Sequence, residues 1–303
     1  MAPELDVCLF AERVGALSLA EGRLNFRYSP EWLAREDAVA LSSSLPLQAD
    51  AFDDLHARPF FAGLLPEGQL RRLIARQFQV SSQNDLALLE RLGGECAGAV
   101  SLLAPGQTMP HADQTNDVQW LGDDELAAIL DELPQRPMLA GTDGLRLSLA
   151  GAQDKLPVVF DGARIGLPRN GAPSSHVLKP AIRTLDDTVT NEGFCLALAE
   201  AMQLAPARSQ VHAVRGRQFL LVERYDRVLD ADGRRQRLHQ EDFCQALGVA
   251  PELKYQNEGG PDLAQCFALV RRVMRPSAPQ VLRLFDYVIF NALVGNHDAH
   301  AKN

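Results

Sequence analysis

The sequence predicts an α+β fold, and three features of its 303 residues support that prediction. Short segments such as residues 14–20 have the composition of β-strands. Other segments, such as residues 68–78, carry apolar residues at helical spacing. A polar, proline-rich and aperiodic stretch at residues 105–118 separates two regions that each mix both patterns, which is typical of a linker.

The first region is expected to contain strands and helices in a fixed order. A glycine pair at the end of its second helical segment suits a helix C-terminus. After the linker, acidic residues in the first turn of residues 123–133 complement a helix dipole, so a further helix is predicted there. The predicted elements before the linker are strands at 5–10, 14–20 and 24–28, helices at 68–78 and 82–94, and a strand at 97–103.

The pattern changes near Gly144, where a second mixed region begins. Thr190 is the expected N-cap of a strong amphipathic helix, and Glu192 is expected in its first turn. The predicted elements are a strand, a turn and a strand across 145–160, a strand at 176–180, the helix at 190–204, two strands across 210–228 joined at Arg215 and Gly216, and a mostly helical remainder from 240.

We therefore divide the chain into three parts: an N-terminal subdomain at 1–105, a linker and helix at 106–139, and a second domain at 140–303. The composition is 46% hydrophobic and 23% charged, as in ordinary globular proteins. No run of 18 apolar residues and no signal peptide is visible, so a cytoplasmic protein without a membrane span is expected.

Charge and cysteine content exclude several classes of function. The formal charge of −9 argues against binding nucleic acid through bulk attraction to phosphates. The basic clusters at 71–76 and 233–237 are expected to be solvated faces. Five scattered cysteines without a CxxC pair argue against a disulfide framework or a cysteine-based zinc site, and favour buried small side chains.

Candidate chemistry is concentrated in the second domain and follows a recognisable order. A turn of small residues at 150–155 precedes a strand that ends at Lys179, and a helix carrying Glu192 follows. A pair of strands then runs into the sequence VERYDR, and an apolar helix leads to DAHAKN at the C-terminal end. Protein kinases arrange their phosphate loop, strand lysine, helix glutamate, hinge and catalytic loop in this order.

The spacing of Asp298 and Asn303 matches the D-x-x-x-x-N catalytic loop of kinases. An Asp at this place accepts the proton of the substrate hydroxyl, and the Asn oxygen suits Mg²⁺, a hard cation that prefers oxygen ligands. The motif alone is weak, and neither G-x-G-x-x-G nor G-x-x-x-x-G-K-[ST] occurs in the chain.

Several blocks in the same order make a more specific match, because together they closely resemble the HipA family of serine/threonine kinases. These kinases are the toxin halves of bacterial toxin–antitoxin pairs. The blocks in the second domain are LSLAGAQDKLPV, HVLKP, LLVERYDR, KYQNEGGP and NHDAHAKN, and those in the first are VGALS, PEWLA, LSSSLPLQ, FFAGLLPEG and LGGECAGAVSL.

The resemblance implies a protein-kinase-like fold preceded by an N-terminal α/β subdomain, with ATP and Mg²⁺ as cofactors. It implies a protein substrate typified by an aminoacyl-tRNA synthetase, whose phosphorylation stops translation and arrests growth. The expected partner is a small DNA-binding antitoxin of the HipB kind, through which alone the protein would meet DNA. Family members continue past the Asn to a second Mg²⁺-binding Asp and a helical C-lobe. With that C-lobe incomplete, the 303-residue chain is expected to be inactive alone, and the helix before the loop to lack cover.

The resemblance also implies roles for individual residues. Asp298 is the expected catalytic base, and Ser148 matches the serine whose autophosphorylation displaces the phosphate loop and inactivates the kinase. Asn303 is the expected metal ligand. The nucleotide is expected to contact the phosphate loop (Ala150, Gly151, Ala152, Gln153, Asp154 and Lys155), the phosphate-binding Lys179, the hinge (Glu223, Arg224 and Tyr225), and His300, Lys302 and Asn303.

Alternatives remain open at this point. The protein could be a catalytically inactive kinase-like module that binds an antitoxin and nucleotide. It could also be a metal-dependent hydrolase that uses Asp298, because His297 and His300 are three residues apart and suitably spaced to bind one metal ion. Glu192 could pair with Lys179 or merely complement its helix dipole.

Overall fold

The computed structural model describes residues 3–107 and 117–303, and it confirms the α+β fold class. The N-terminal region builds a four-stranded antiparallel sheet in the order β3-β2-β1-β4. Its elements are β1 (Glu4–Leu9), β2 (Glu12–Ala20), β3 (Arg23–Tyr28), α1 (Pro30–Leu33), α2 (Asp54–Gly63), α3 (Gly68–Gln77), α4 (Asp85–Leu92) and β4 (Val100–Leu103).

The core of this region forms where α2 packs against β3. Phe26 and Tyr28 lie on the buried face of β3 and meet Phe60 and Phe61 of α2, all at most 1% exposed. Burying a side chain of this size stabilises the fold by about 1.5–3 kcal/mol. The Tyr28 hydroxyl also donates a hydrogen bond of 2.6 Å to the Leu45 carbonyl, so the loop before α2 is fixed to the sheet.

The second region builds a six-stranded antiparallel sheet in the order β5-β7-β6-β8-β10-β9. Helix α6 packs against β9 and β10. The elements are β5 (Val118–Trp120), α5 (Asp123–Glu132), β6 (Leu156–Phe160), β7 (Ile165–Pro168), β8 (His176–Pro180), α6 (Thr188–Ala201), β9 (Ser209–Val214), β10 (Arg217–Glu223), the hairpin β11 (Arg227–Leu229) and β12 (Arg235–Arg237), and the helices α7 (Phe243–Leu247), α8 (Leu263–Val273) and α9 (Ser277–Leu293).

Two predicted elements are wrong in detail. Residues 145–149 do not form a strand of the second sheet, because this segment turns to the N-terminal domain, where the Ser148 N–H donates to the Glu95 carbonyl at 2.9 Å. Helix α6 begins at Thr188, with Asp187 preceding it, so Thr190 is not the N-cap. Glu192 consequently lies beyond the first turn of the helix.

Two other predictions concern the linker and the basic clusters. Most of the proposed linker at 105–118 falls outside the described residues, and its last residue begins β5. The basic clusters are not merely solvated faces, since Arg71 pairs with Asp85 and Arg237 with Glu95, both buried carboxylates.

Helix α9 presents an apolar face to solvent. Leu282, Phe285, Ile289 and Leu293 are between 43% and 74% exposed in the structure.

Over the described ranges, no helix combines the length and apolar character that crossing a membrane requires.

Candidate active site

A cavity of about 740 Å³ lies between the two domains and the C-terminal loop. It gathers most of the site residues that the sequence predicts, although they are far apart along the chain. Glu67 of the N-terminal domain, Lys254 and Tyr255 also line the cavity. No sequence motif assigns a role to these three residues. The predicted residues that line it are Ala150, Gly151, Ala152, Gln153, Lys155, Lys179, His300, Lys302, Asn303 and Asp298.

Lys179 and Glu192 form an ion pair on one wall of the cavity. Lys179 stands on β8, opposite Leu220 of β10, and α6 packs against β10 and its other neighbour, β9. This packing places the Lys179 Nζ 2.5 Å from the Glu192 Oε1. The helix dipole does not explain Glu192, because its effect is confined to the first turn and Glu192 lies beyond it. The pair has the arrangement that kinases use to hold a nucleotide's phosphates.

The predicted phosphate loop turns sharply around Gly151. The backbone there has φ +109°, and a Cβ at this position would come within 2.5 Å of the Lys155 Nζ. The positive φ therefore favours glycine here, and a larger residue would also displace the Lys155 ammonium group. Lys155 in turn donates to the Ala150 carbonyl at 2.5 Å, and its pKa is lowered to about 8 by burial and by the nearby charge of Lys179.

The N-terminal domain holds this loop at two points. The Ser148 hydroxyl is fully buried and donates to the Leu64 carbonyl at 2.8 Å. Three residues further along, Gly151 forms an isolated β-bridge with Pro66, and its carbonyl accepts a hydrogen bond of 3.1 Å from the Glu67 N–H. The conformation of the loop therefore depends on the docked N-terminal domain.

Asp298 presents its carboxylate to the opening of the cavity, with 72% of the side chain exposed. Its backbone N–H donates to the Asn296 side chain at 3.0 Å, and Asn303 donates from its amide to the Asp298 carbonyl. The Tyr255 hydroxyl donates to the Asp298 Oδ1 at 2.7 Å. That hydrogen bond, together with burial, raises the pKa of Tyr255 to about 12, so the hydroxyl keeps its proton at neutral pH.

The imidazole of His300 lies close to the Asp298 carboxylate, and the His300 side chain is almost fully buried. Burial, together with the charge of Lys254, lowers the pKa of its imidazole, which favours the neutral form. The Lys302 N–H is 3.2 Å from the His300 Nδ1, which must then be the acceptor nitrogen. The proton therefore sits on Nε2, 3.6 Å from the Asp298 carboxylate, so His300 supports the loop by packing and polarity.

Lys302 lines the cavity, but its ammonium group is used elsewhere. The Lys302 side chain is 2% exposed. Its Nζ donates to the Asp242 carboxylate at 2.6 Å and to the Gly63 carbonyl at 3.2 Å. Asp242 is the N-cap of α7, and Gly63 is the last residue of α2. Lys302 thus ties the catalytic loop to both domains.

The predicted hinge lies apart from this cavity. Among the described residues that line it, Glu223, Arg224 and Tyr225 do not occur, and neither does Asp154. The Arg224 guanidinium is instead 5% exposed and directed toward the N-terminal domain. Their assignment to the nucleotide stays a prediction.

Arg224 belongs to a group of five charges, which we call the ionic cluster: the buried Glu95, Arg224, Asp226 and Arg227, and the partly buried Arg237. Glu95 is the centre, with guanidinium nitrogens of Arg224, Arg227 and Arg237 at 3.2, 2.9 and 2.6 Å. Burial would raise the pKa of Glu95, but the three guanidinium charges outweigh it and hold that pKa well below its usual range. The cluster fastens the end of β10 to the N-terminal domain.

The donor set fits a nucleotide with Mg²⁺. Lys155, Lys179 and Lys254 line the cavity beside the carboxylates of Glu67, Glu192 and Asp298, and the lysine ammonium groups suit a polyphosphate. Asn303 and Asp298 offer oxygens from one loop. Over residues 3–107 and 117–303, no three His, Cys, Asp or Glu side chains are grouped to hold a metal ion, so Mg²⁺ would draw its remaining ligands from phosphates and water.

Comparison with known proteins identifies the family of this chain. The model of the HipA N-terminal domain matches residues 5–103, and that of the HipA-like C-terminal domain matches residues 147–303. The putative kinase Y4mE of Sinorhizobium fredii is 50% identical over 284 residues, which cover 93% of this chain and 68% of that protein.

More distant relatives are HipA proteins of Shewanella oneidensis. The serine/threonine-protein kinase toxin HipA of Shewanella oneidensis is 26% identical over 288 residues, covering 91% of this chain and 64% of the toxin. A solved Shewanella oneidensis complex of HipA, HipB and operator DNA contains a chain that matches with a TM-score of 0.81 and 25% identity, over 99% of this chain and 71% of that chain. On these matches, the chain belongs to the HipA family.

Proposed function

We propose that this protein is an ATP-dependent serine/threonine protein kinase and the toxin of a toxin–antitoxin module. The observation that carries the proposal is that one cavity holds both the Lys179–Glu192 ion pair and the Asp298–Asn303 loop. A phosphate-binding cation and a candidate base then face the same space, as phosphoryl transfer requires. The names of the relatives support the same activity.

In this mechanism Lys179 binds the nucleotide phosphates, and Glu192 keeps the lysine side chain in place. Asp298 accepts the proton of the serine or threonine hydroxyl, and the Tyr255 hydroxyl together with the Asn296 side chain fixes the orientation of Asp298. Bound Mg²⁺ neutralises phosphate charge, and Asn303 would supply one oxygen ligand. The exposure of the Asp298 carboxylate leaves room for an acceptor side chain to approach.

The proposed partner is a HipB-like antitoxin, supported by the HipB and operator DNA in the related complex. Contact with DNA would be indirect, through the antitoxin, in keeping with the formal charge of −9. The proposed substrate is a translation-related protein such as an aminoacyl-tRNA synthetase, whose phosphorylation would arrest growth.

Ser148 is the proposed site of an inactivating autophosphorylation. Its hydroxyl is buried against Leu64, so it can receive a phosphate only after the loop leaves the N-terminal domain. A phosphate adds about −1.5 to −2 charges and cannot return to a site that accommodates a hydroxyl. Phosphorylation would then keep the loop away from the cavity.

The test measures ATP binding and phosphoryl transfer by the purified full-length protein with Mg²⁺ and γ-labelled ATP. We expect the Asp298→Asn variant to lose transfer by about 10²–10⁴-fold while it binds ATP with nearly unchanged affinity. Asp50→Asn, at an exposed residue, is the matched control and should behave like the wild type.

Three outcomes are distinguishable. Near-normal transfer by Asp298→Asn would show that Asp298 is not the base. Wild-type protein that binds ATP without transfer would favour the inactive nucleotide-binding module. Wild-type protein that binds no nucleotide would contradict both.

A further inference from the structure

The lysines that line the cavity differ in what their ammonium groups already contact. Lys155 donates to a backbone carbonyl of its own loop, Lys179 pairs with Glu192, and Lys302 donates to Asp242 and Gly63. Lys254 pairs with Glu67 of the N-terminal domain, and it lies close to the catalytic loop, since Ala301 donates its N–H to the Lys254 carbonyl at 3.2 Å. Phosphoryl transfer needs positive charge at the transferred group.

Lys254 lines the cavity together with the phosphate loop and the candidate base, Asp298. Its charge acts on both sides, because it contributes to lowering the pKa of Lys155 and of His300. The Lys254 Nζ is 5.4 Å from the centre of the Tyr255 ring, and the Tyr255 hydroxyl contacts Asp298. The ammonium group is therefore near the place where a terminal phosphate would meet the acceptor hydroxyl.

Glu67 fixes this position from the other domain. Its Oε2 accepts a hydrogen bond of 2.7 Å from the Lys254 Nζ, and both side chains are largely buried. Its Oε1 is buried, without a hydrogen-bond partner among the described residues, and lies 3.9 Å from the Lys302 Nζ. Its backbone N–H holds Gly151 of the phosphate loop. A single residue of the N-terminal domain thus contacts both loops of the cavity.

We propose that Lys254 binds the γ-phosphate of ATP, and that Glu67 is a positioning residue that fixes Lys254 for this contact. A lysine ammonium has three donor hydrogens, so one can remain on Glu67 while the others reach phosphate oxygens. The inference rests on the proposed kinase function, and it assigns to the N-terminal domain a part in recognising the phosphate that is transferred.

The test compares two nucleotides that differ in this phosphate. Calorimetric titration with Mg²⁺ measures the affinity for a non-hydrolysable ATP analogue and for ADP in the full-length protein. Because the contact is charge-assisted, we expect Lys254→Met to lower affinity for the ATP analogue by about tenfold to a hundredfold. Affinity for ADP should remain within about threefold of the wild type.

Two variants control for charge and folding. Lys254→Arg keeps a cation and should recover much of the preference for the ATP analogue over ADP. Glu258→Gln, at an exposed acidic residue in the same segment, should leave both affinities unchanged. Thermal unfolding without nucleotide checks each variant's fold, and Lys254→Gln, which also removes the charge and should show the same selective loss, carries the test if Lys254→Met does not fold.

Glu67→Gln separates positioning from simple repulsion. If Glu67 only repels phosphates, removing its charge raises affinity, and more for the ATP analogue than for ADP. If it positions Lys254, the preference for the ATP analogue falls, by about threefold to tenfold. The effect should also disappear in a Lys254→Met background, because the two residues then act as one unit.

The outcomes are again distinct. An equal loss for both nucleotides in Lys254→Met, or no loss, overturns the assignment of Lys254 alone. A raised preference in Glu67→Gln, or full additivity with Lys254→Met, overturns the positioning role. Wild-type protein that binds neither nucleotide overturns the proposed function and this inference with it.

Discussion

Replacing Glu95 with glutamine should destabilise the protein strongly, because it removes charge from the centre of the ionic cluster. In the wild type, the buried guanidiniums of Arg224 and Arg227 and the partly buried one of Arg237 face the carboxylates of Glu95 and Asp226. The Glu95 side chain is 2% exposed, so water cannot replace it. Removing one partner of a buried ion pair costs about 3–5 kcal/mol. With an unfolding entropy of about 2.1 cal/mol/K per residue, 1 kcal/mol corresponds to about 1.6 °C for 303 residues, so the midpoint of thermal unfolding should fall by about 5–8 °C.

The assay is urea and thermal unfolding followed by circular dichroism. Glu90→Gln is the matched control, since Glu90 is exposed on α4 and its loss should change stability by less than about 0.5 kcal/mol. A loss below about 1 kcal/mol for Glu95→Gln would refute the reasoning, because it would mean that the buried charges do not depend on Glu95.

The stability difference between the wild type and Glu95→Gln should also depend on pH. The pKa of Glu95 is lower in the folded protein than in the unfolded chain, where its ordinary value is 4.5. Its contribution is therefore fully present above pH 4.5 and is lost as the pH falls from there through the folded-state pKa. The stability difference between wild type and Glu95→Gln should be constant from pH 6 to 8 and shrink on acidification below about pH 4.5.

Three further predictions concern the cavity. Lys179→Ala should weaken ATP binding by about 1.5–3 kcal/mol in calorimetry, and an unchanged affinity would leave Lys179 without its assigned role. Mass spectrometry of protein exposed to Mg²⁺ and ATP should find phosphate on Ser148 as activity declines, whereas stoichiometric Ser148 phosphate with full activity would exclude the switch. Tyr255→Phe should slow transfer by about tenfold with unchanged ATP affinity, and a normal rate would show that Asp298 needs no support from Tyr255.

Local sequence patterns predicted much of the fold because strands and helices carry their own periodicity. The sequence predicts both the strand ending near Lys179 and the helix carrying Glu192. The helix follows the strand directly in the sequence, so the two side chains can come together in the fold. Helix α2 was missed, because Pro59 interrupts the helical pattern. Residues 145–149 alternate like a strand, but their partner is the N-terminal domain and not a neighbouring strand of the second sheet.

Contacts between distant residues were beyond such patterns. Glu67 and Lys254 are 187 residues apart, and nothing in the sequence around either residue indicates the other. One signal was available, since the block FFAGLLPEG contains Glu67 and the block KYQNEGGP begins with Lys254. Both blocks supported the family resemblance, but no chemical role was assigned to them.

The hydrogen bond from Glu67 to Gly151 has a thermodynamic consequence. Because this bond and the one from Ser148 to Leu64 join the phosphate loop to the N-terminal domain, loop order and domain docking form one equilibrium. A ligand that orders the loop must then tighten docking, and any partner that loosens docking must weaken that ligand by the same factor. A partner that changes the docking of the N-terminal domain would therefore change nucleotide affinity without reaching the cavity.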